Sequence, residues 1–269
     1  MSELAAPMAY AVLVWWTTTG IILFLNGLPR STFVWSVAGA SVVLLAAAYE
    51  LHLSAADASV NGAYAAFTCA ILVWGWLEMT FLMGFITGPR KYACIERCAG
   101  WRHFLHGAQA IIYNELATAI GALCIGYATL QKPNRLALWT YVILWVMRLS
   151  AKLNLFLGVP NLGEKFLPPH LQYLKAFFRK RSMNFLFPIS ITGCTLAIAL
   201  MAYGYSVATD AFEITGIALL ASLLALATLE HWFMVLPLPS EKLWSWALKA
   251  TRESRDQDTL ERRVTAKLP

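Results

Sequence analysis

Charged residues are scarce in this chain: Asp, Glu, Lys and Arg make up 13% of its 269 residues, against roughly a quarter in an ordinary water-facing domain. With 59% hydrophobic residues and a mean hydropathy of +0.58, the chain has far more apolar surface than a soluble globule can hide. Short alternating polar–apolar segments are missing as well, which excludes a membrane β-barrel. The apolar runs are instead continuous over about 20 residues, the length a helix needs to cross a bilayer. A backbone in lipid must satisfy its own hydrogen bonds, and helices do so within each span. The expected fold is all-α, a polytopic integral membrane protein.

Other absences narrow the function. Five cysteines are present, but Cys69, Cys124 and Cys194 sit in apolar helical runs, which excludes a disulfide framework. The first ten residues hold Glu3 and no Lys or Arg, so a cleavable signal peptide is not expected. No P-loop, nucleophile elbow or zincin signature occurs. The net charge of +6 does not imply a nucleic-acid partner, because its distribution follows membrane topology.

Helices are expected near residues 8–26, 33–53, 60–88, 104–130, 135–157, 185–208 and 211–236. Seven spans place alternate loops on opposite sides of the membrane. Seventeen of the 21 basic residues then fall on one side, Lys132 and Arg135 on the other, and Arg148 and Lys152 within the fifth span. By the positive-inside rule the basic side is cytoplasmic, giving an N-out, C-in topology. Residues 1–236 form the transmembrane domain, and residues 237–269 a cytoplasmic interfacial helix with a charged tail.

Two segments read as interfacial. Pro168 and Pro169 can open a helix through Arg181, with Leu171, Leu174, Phe177 and Phe178 toward lipid and the basic residues at head groups. Residues 242–249 repeat the pattern with Trp244 and Trp246. The bland reading of both is membrane anchoring on anionic lipid, and Trp15, Trp16 and Trp139 fit interfacial anchors too.

Ionisable residues inside spans cost about 2.5–3.5 kcal/mol on insertion scales and therefore face a bundle interior or cavity. Counting helical rise from the cytoplasmic ends puts Glu78, Glu115, Arg148, Lys152 and Glu230 roughly 8–16 Å deep. Arg148 and Lys152 share a helix face, and carboxylates between them and a neighbouring helix relieve their repulsion. We expect one ionic cluster of these five with His231, while Glu50 snorkels outward. The cluster reads as a packing network, as a polar ligand site, or as an iron centre on Glu78, Glu115, Glu230 and His231 with His103 or His106. No Glu-x-x-His pair of the di-iron bundle type supports the last. A second constellation, Cys94, Cys98, His103 and His106, has zinc-type ligands, but its unusually compact spacing favours reduced thiols beside an interfacial helix start over a zinc site.

The stretch from Arg148 to Pro188 includes Leu-Asn-Leu-Phe-Leu-Gly-Val-Pro-Asn-Leu and Met-Asn-Phe-Leu-Phe-Pro. With Gly84–Arg90 and Glu230–Pro239, it resembles the PuhE-type family of photosynthetic complex assembly proteins of phototrophic bacteria, over nearly the whole chain. Asn154, Gly158, Pro160, Asn161, Asn184 and Pro188 carry the resemblance. It implies a multi-pass protein of the bacterial cytoplasmic (inner or intracytoplasmic) membrane that helps assemble reaction-centre and light-harvesting complexes or supply their bacteriochlorophyll. The partners it implies are those subunits and pigment; the spans themselves imply membrane lipid, and a neutral imidazole at His231 or His106 offers an axial ligand for pigment. The competing classes are a metal-dependent membrane enzyme acting on a tetrapyrrole or lipid-soluble substrate, and a transporter, for which no inverted repeat is visible.

Overall fold

The computed structural model describes residues 2–94, 98–238 and 240–247, without the side chains of Ser2, Glu3, Lys165, Ser240 and Glu241. Arg97, Lys249 and the charged tail lie outside the described residues. Seven helices are long and apolar enough to cross a membrane. They are α1 (Ser2–Gly27), α2 (Phe33–Ser54), α3 (Val60–Leu82), α4 (Gly100–Ala128), α5 (Leu136–Leu157), α6 (Leu186–Val207) and α7 (Ala211–Phe233). Short 3-10 turns cover Pro169–Phe177 and Ser240–Trp244.

Helix starts follow local chemistry. The Ser59 hydroxyl accepts from Gly62 N at 3.1 Å to cap α3, and Asp210 accepts from Phe212 N and Glu213 N at 3.0 and 3.1 Å to cap α7. On the side assigned as external, the buried Asn134 amide reaches Ser54 O, Asp57 O and Gly62 O, each at 3.0 Å. One side chain thus ties the α2–α3 turn to the start of α5.

α3 is the central helix, packed against α1, α2, α4, α5 and α7. Ala63, Ala66 and Ala70 line its contact face with Phe67, against Ala47 and Leu51 of α2, Ala137 and Tyr141 of α5 and Leu219 of α7. Small residues let helices approach closely where lipid offers no hydrophobic drive to associate. Tyr141, fully buried, donates to Thr118 O at 2.9 Å and fixes α5 on α4.

Three expectations need correction. The third helix stops at Leu82, not near residue 88. Gly84 adopts φ +84°, and the N–H groups of Phe85 and Ile86 fold back onto Thr80 O, so the apolar run Phe-Leu-Met-Gly-Phe-Ile leaves the helix. Leu171, Leu174 and Phe177 do not face lipid: they are buried with Phe81 and Ala110, and His170 Nε2 lies 2.8 Å from Leu82 O. Trp15 and Trp16 lie mid-helix rather than at an interface. Trp16 Nε1 donates to Leu243 O at 3.0 Å, and Trp244 Nε1 to Trp16 O at 3.3 Å, so the segment after α7 clasps α1.

Residues 84–90 make a second departure from simple spans. Thr87 O accepts from Tyr113 N and Asn114 N, at 2.9 and 3.1 Å, partway along α4. Gly88 lies so close that a Cβ there would sit 2.0 Å from Gln109 O. At 29 residues α4 is the longest helix, roughly 43 Å at 1.5 Å per residue, and the loop docks on its third and fourth turns, at Gln109, Ala110, Tyr113 and Asn114.

Candidate membrane-embedded site

A cavity of about 1100 Å³ opens among α1, α3, α4, α5 and α7 and is bounded by residues 160–164, by Phe166 and Leu167 and by Phe177. Ligand pockets commonly enclose roughly 300–1,000 Å³, so this one is spacious. Its wall is mostly apolar and aromatic, with Trp15, Trp74, Phe81, Phe104, Phe156 and Trp244 among the contributors. Glu78, Glu115, Arg148, Lys152, Glu230 and His231 interrupt it.

Four of the charged groups form two ion pairs. Arg148 Nη2 lies 2.8 Å from Glu78 Oε2, and Lys152 Nζ lies 2.6 Å from Glu115 Oε1. One helix turn of α5 therefore presents one cation to α3 and the next to α4. Arg148 Nε is buried without a hydrogen-bond partner among the described residues, so the guanidinium keeps donor capacity beyond Glu78. Glu230 makes no ion pair among the described residues. Trp15 Nε1 donates to its Oε1 at 3.1 Å, and the carboxylate is otherwise open to the cavity.

His231 is 2% exposed and has both ring nitrogens engaged. Nδ1 lies 2.9 Å from Ala227 O, which accepts only, so Nδ1 carries the proton. Nε2 then accepts from the Ser150 hydroxyl at 2.9 Å. Ser150 in turn meets Ser190 Oγ at 2.9 Å, and Asn154 donates to Ser150 O at 3.0 Å. Axial ligation of a metal or pigment by His231 would require displacing Ser150.

The resemblance-bearing residues mostly hold helix ends. Asn184 Nδ2 donates to Asn154 Oδ1 and Gly158 O, at 3.1 and 2.9 Å, while its Oδ1 accepts from Leu186 N and Phe187 N at 2.8 and 3.1 Å. It closes α5 and opens α6 together. Asn161 donates to Phe233 O at 3.1 Å and Leu236 O at 2.5 Å, capping α7. Gly158 follows α5, Pro188 lies in the first turn of α6, and Pro160 and Asn161 line the cavity rim.

His103 and His106 part company. His103 is buried between Phe156 and Phe177, ring centroids 5.4 and 5.5 Å away, outside the ionic cluster. His106 Nδ1 instead meets Cys94 Sγ at 3.2 Å and Cys98 Sγ at 3.1 Å. Burial, then the neighbouring Cys98, pushes the Cys94 thiol up, while Arg90 draws it down. Sequence reasoning missed the roles of Trp15, Ser150 and Ser190. An indole or hydroxyl in an apolar helix gives no signal until its partner is known.

Residues 1–255 match the sequence profile of a family described as "Protein of unknown function (DUF3623)". A Rhodobacter capsulatus protein described as "Uncharacterized 30.4 kDa protein in puhA 5'region" is 39% identical over 265 residues, covering 96% of this chain and 95% of that protein. No solved structure matches. With a profile that spans nearly all of it and a relative aligned end to end, the chain belongs to the DUF3623 family.

Proposed function

We propose that this protein is a membrane assembly factor for the bacterial photosynthetic apparatus, holding a membrane-soluble pigment or pigment precursor while reaction-centre and light-harvesting complexes are built. The observation that carries the reading is the cavity. A mostly apolar, aromatic chamber of about 1100 Å³ within a helical bundle, bearing Arg148 and an open Glu230, suits a large flat apolar molecule with a few polar edge groups. Its placement in photosynthesis is supported by the description of the Rhodobacter capsulatus relative as a protein in the puhA 5' region. The bacterial cytoplasmic membrane as its location, and photosynthetic subunits as partners, belong to the same proposal.

The competing reading is a metal-dependent membrane enzyme acting on a tetrapyrrole or other lipid-soluble substrate. Its ligand set at the cavity is weakened because Glu78 and Glu115 are ion-paired and His231 is occupied. The test is an affinity-tagged copy purified from phototrophically grown cells, with pigment absorbance, metal content and bound subunits measured together. Co-purifying pigment or photosynthetic subunits, and reduced near-infrared photocomplex absorbance in a deletion strain, are the expected results. Normal photocomplex levels in the deletion overturn the assembly role, and stoichiometric iron bound at the cavity favours the enzyme.

A further inference from the structure

We propose that Cys94, Cys98 and His106 form a site for a zinc-class divalent metal, separate from the cavity, with three ligands among the described residues. Their ligand atoms all lie within 4.8 Å of one another. Two sulfurs converge on the same nitrogen, at 3.1 and 3.2 Å. A neutral imidazole Nδ1 has a single valence outside the ring, either one proton or one lone pair. It cannot satisfy two thiols at once, whereas a metal at the common focus bonds all three.

The distances suit such an ion. Zinc–sulfur and zinc–nitrogen bonds of about 2.3 and 2.05 Å at a tetrahedral angle put sulfur and nitrogen roughly 3.6 Å apart. The observed separations are a few tenths of an ångström shorter, so modest outward movement admits the metal. The ligands also come from two bodies, a loop and a helix. Cys94 and Cys98 flank the chain entering α4, and His106 stands on the second turn of α4. Metal binding would fasten the α3–α4 connection at the end away from its Thr87 dock.

The charge balance is favourable. Two thiolates neutralise the dication, and their protons leave to solvent as the metal binds. Soft thiolate with imidazole selects zinc over magnesium or calcium. His103, three residues before His106, stacks on Phe156 and Phe177 and supplies no fourth ligand. Three protein ligands among the described residues leave a position for water or a further donor. On the cytoplasmic side that the basic residues indicate, reducing conditions keep the thiols available.

The experiment uses the full chain in detergent with a non-chelating reductant. One equivalent of zinc is expected by elemental analysis, and cobalt(II) substitution should give a thiolate-to-metal charge-transfer band with tetrahedral visible transitions. In the unsubstituted protein, zinc should protect Cys94 and Cys98 from alkylation, read by peptide mass spectrometry, and leave the labelling of Cys124, within the span of α4, unchanged. Loss of even an outer-sphere partner typically weakens a metal site about 10–100-fold, so His106→Ala should weaken zinc binding by more than that. The proposal is overturned by equal alkylation with and without zinc, by cobalt binding without a thiolate band, or by a Cys94–Cys98 disulfide in cells.

Discussion

Lys152 and Glu115 meet at 2.6 Å with side-chain exposures of only 17% and 21%, so neither charge has much water to fall back on. Removing one member of a buried pair costs about 3–5 kcal/mol, while removing both in favour of neutral groups is often close to neutral. Lys152→Met should therefore lower the thermal midpoint of the detergent-solubilised protein sharply, and adding Glu115→Gln should restore most of it. A double variant no more stable than the single one would remove the pairing from the stability argument. Glu230→Gln belongs to a different class. It keeps an oxygen for Trp15 Nε1 and removes only charge, so abundance should hold while any pigment co-purification falls. Depth along the helices put Lys152 and Glu115 in the same half of the membrane from sequence, without showing which carboxylate each cation meets. It did not find Trp15, 215 residues from Glu230, because an indole inside an apolar run carries no mark of its partner.

At the level of elements, the connection after α3 is the part least legible from residue types. Hydropathy reads Phe85 and Ile86 as more helix, and the left-handed Gly84 with the carbonyl of Thr87, bonded to Tyr113 and Asn114, explains why the chain turns away. Gly88→Ala tests that docking. The added methyl meets Gln109 O and Ala110, and overpacking of this kind costs about 1–3 kcal/mol. A lower melting temperature is expected, with faster proteolysis between α3 and α4; an unchanged variant would mean that the loop does not seat on α4. Asn184→Ala should likewise loosen the α5–α6 junction, since cap replacement alone costs about 0.5–2 kcal/mol. Amide exchange near Gly158 and Leu186 should rise. The 169–177 segment was legible as amphipathic, but a pattern shows which face is apolar and not what covers it. Here Phe81 and Ala110 cover it.

For the whole molecule, the seven spans were legible because each apolar run is long and interrupted by Pro, Asn or charge. The same count predicts topology. A reporter active only outside the cytoplasm should be silent when fused after Pro269 and active when inserted between Lys132 and Arg135. The opposite pattern would overturn the orientation that the basic residues indicate.

The clasp between Trp16 and the Leu243–Trp244 segment also has a consequence in time. α1 leaves the ribosome well before the segment that closes on it. For Trp15 and Glu230, 215 residues apart, synthesis at about 5–20 residues per second leaves an interval of roughly 10–40 s. Throughout that interval the chamber lacks its α7 wall and stands open sideways to the bilayer. If the chamber holds pigment as proposed, a bulky molecule enters more readily through this gap than after the α7 wall is in place. A crosslink between positions 15 and 230 should form only in completed chains, and pigment added after synthesis should load poorly compared with pigment present during it.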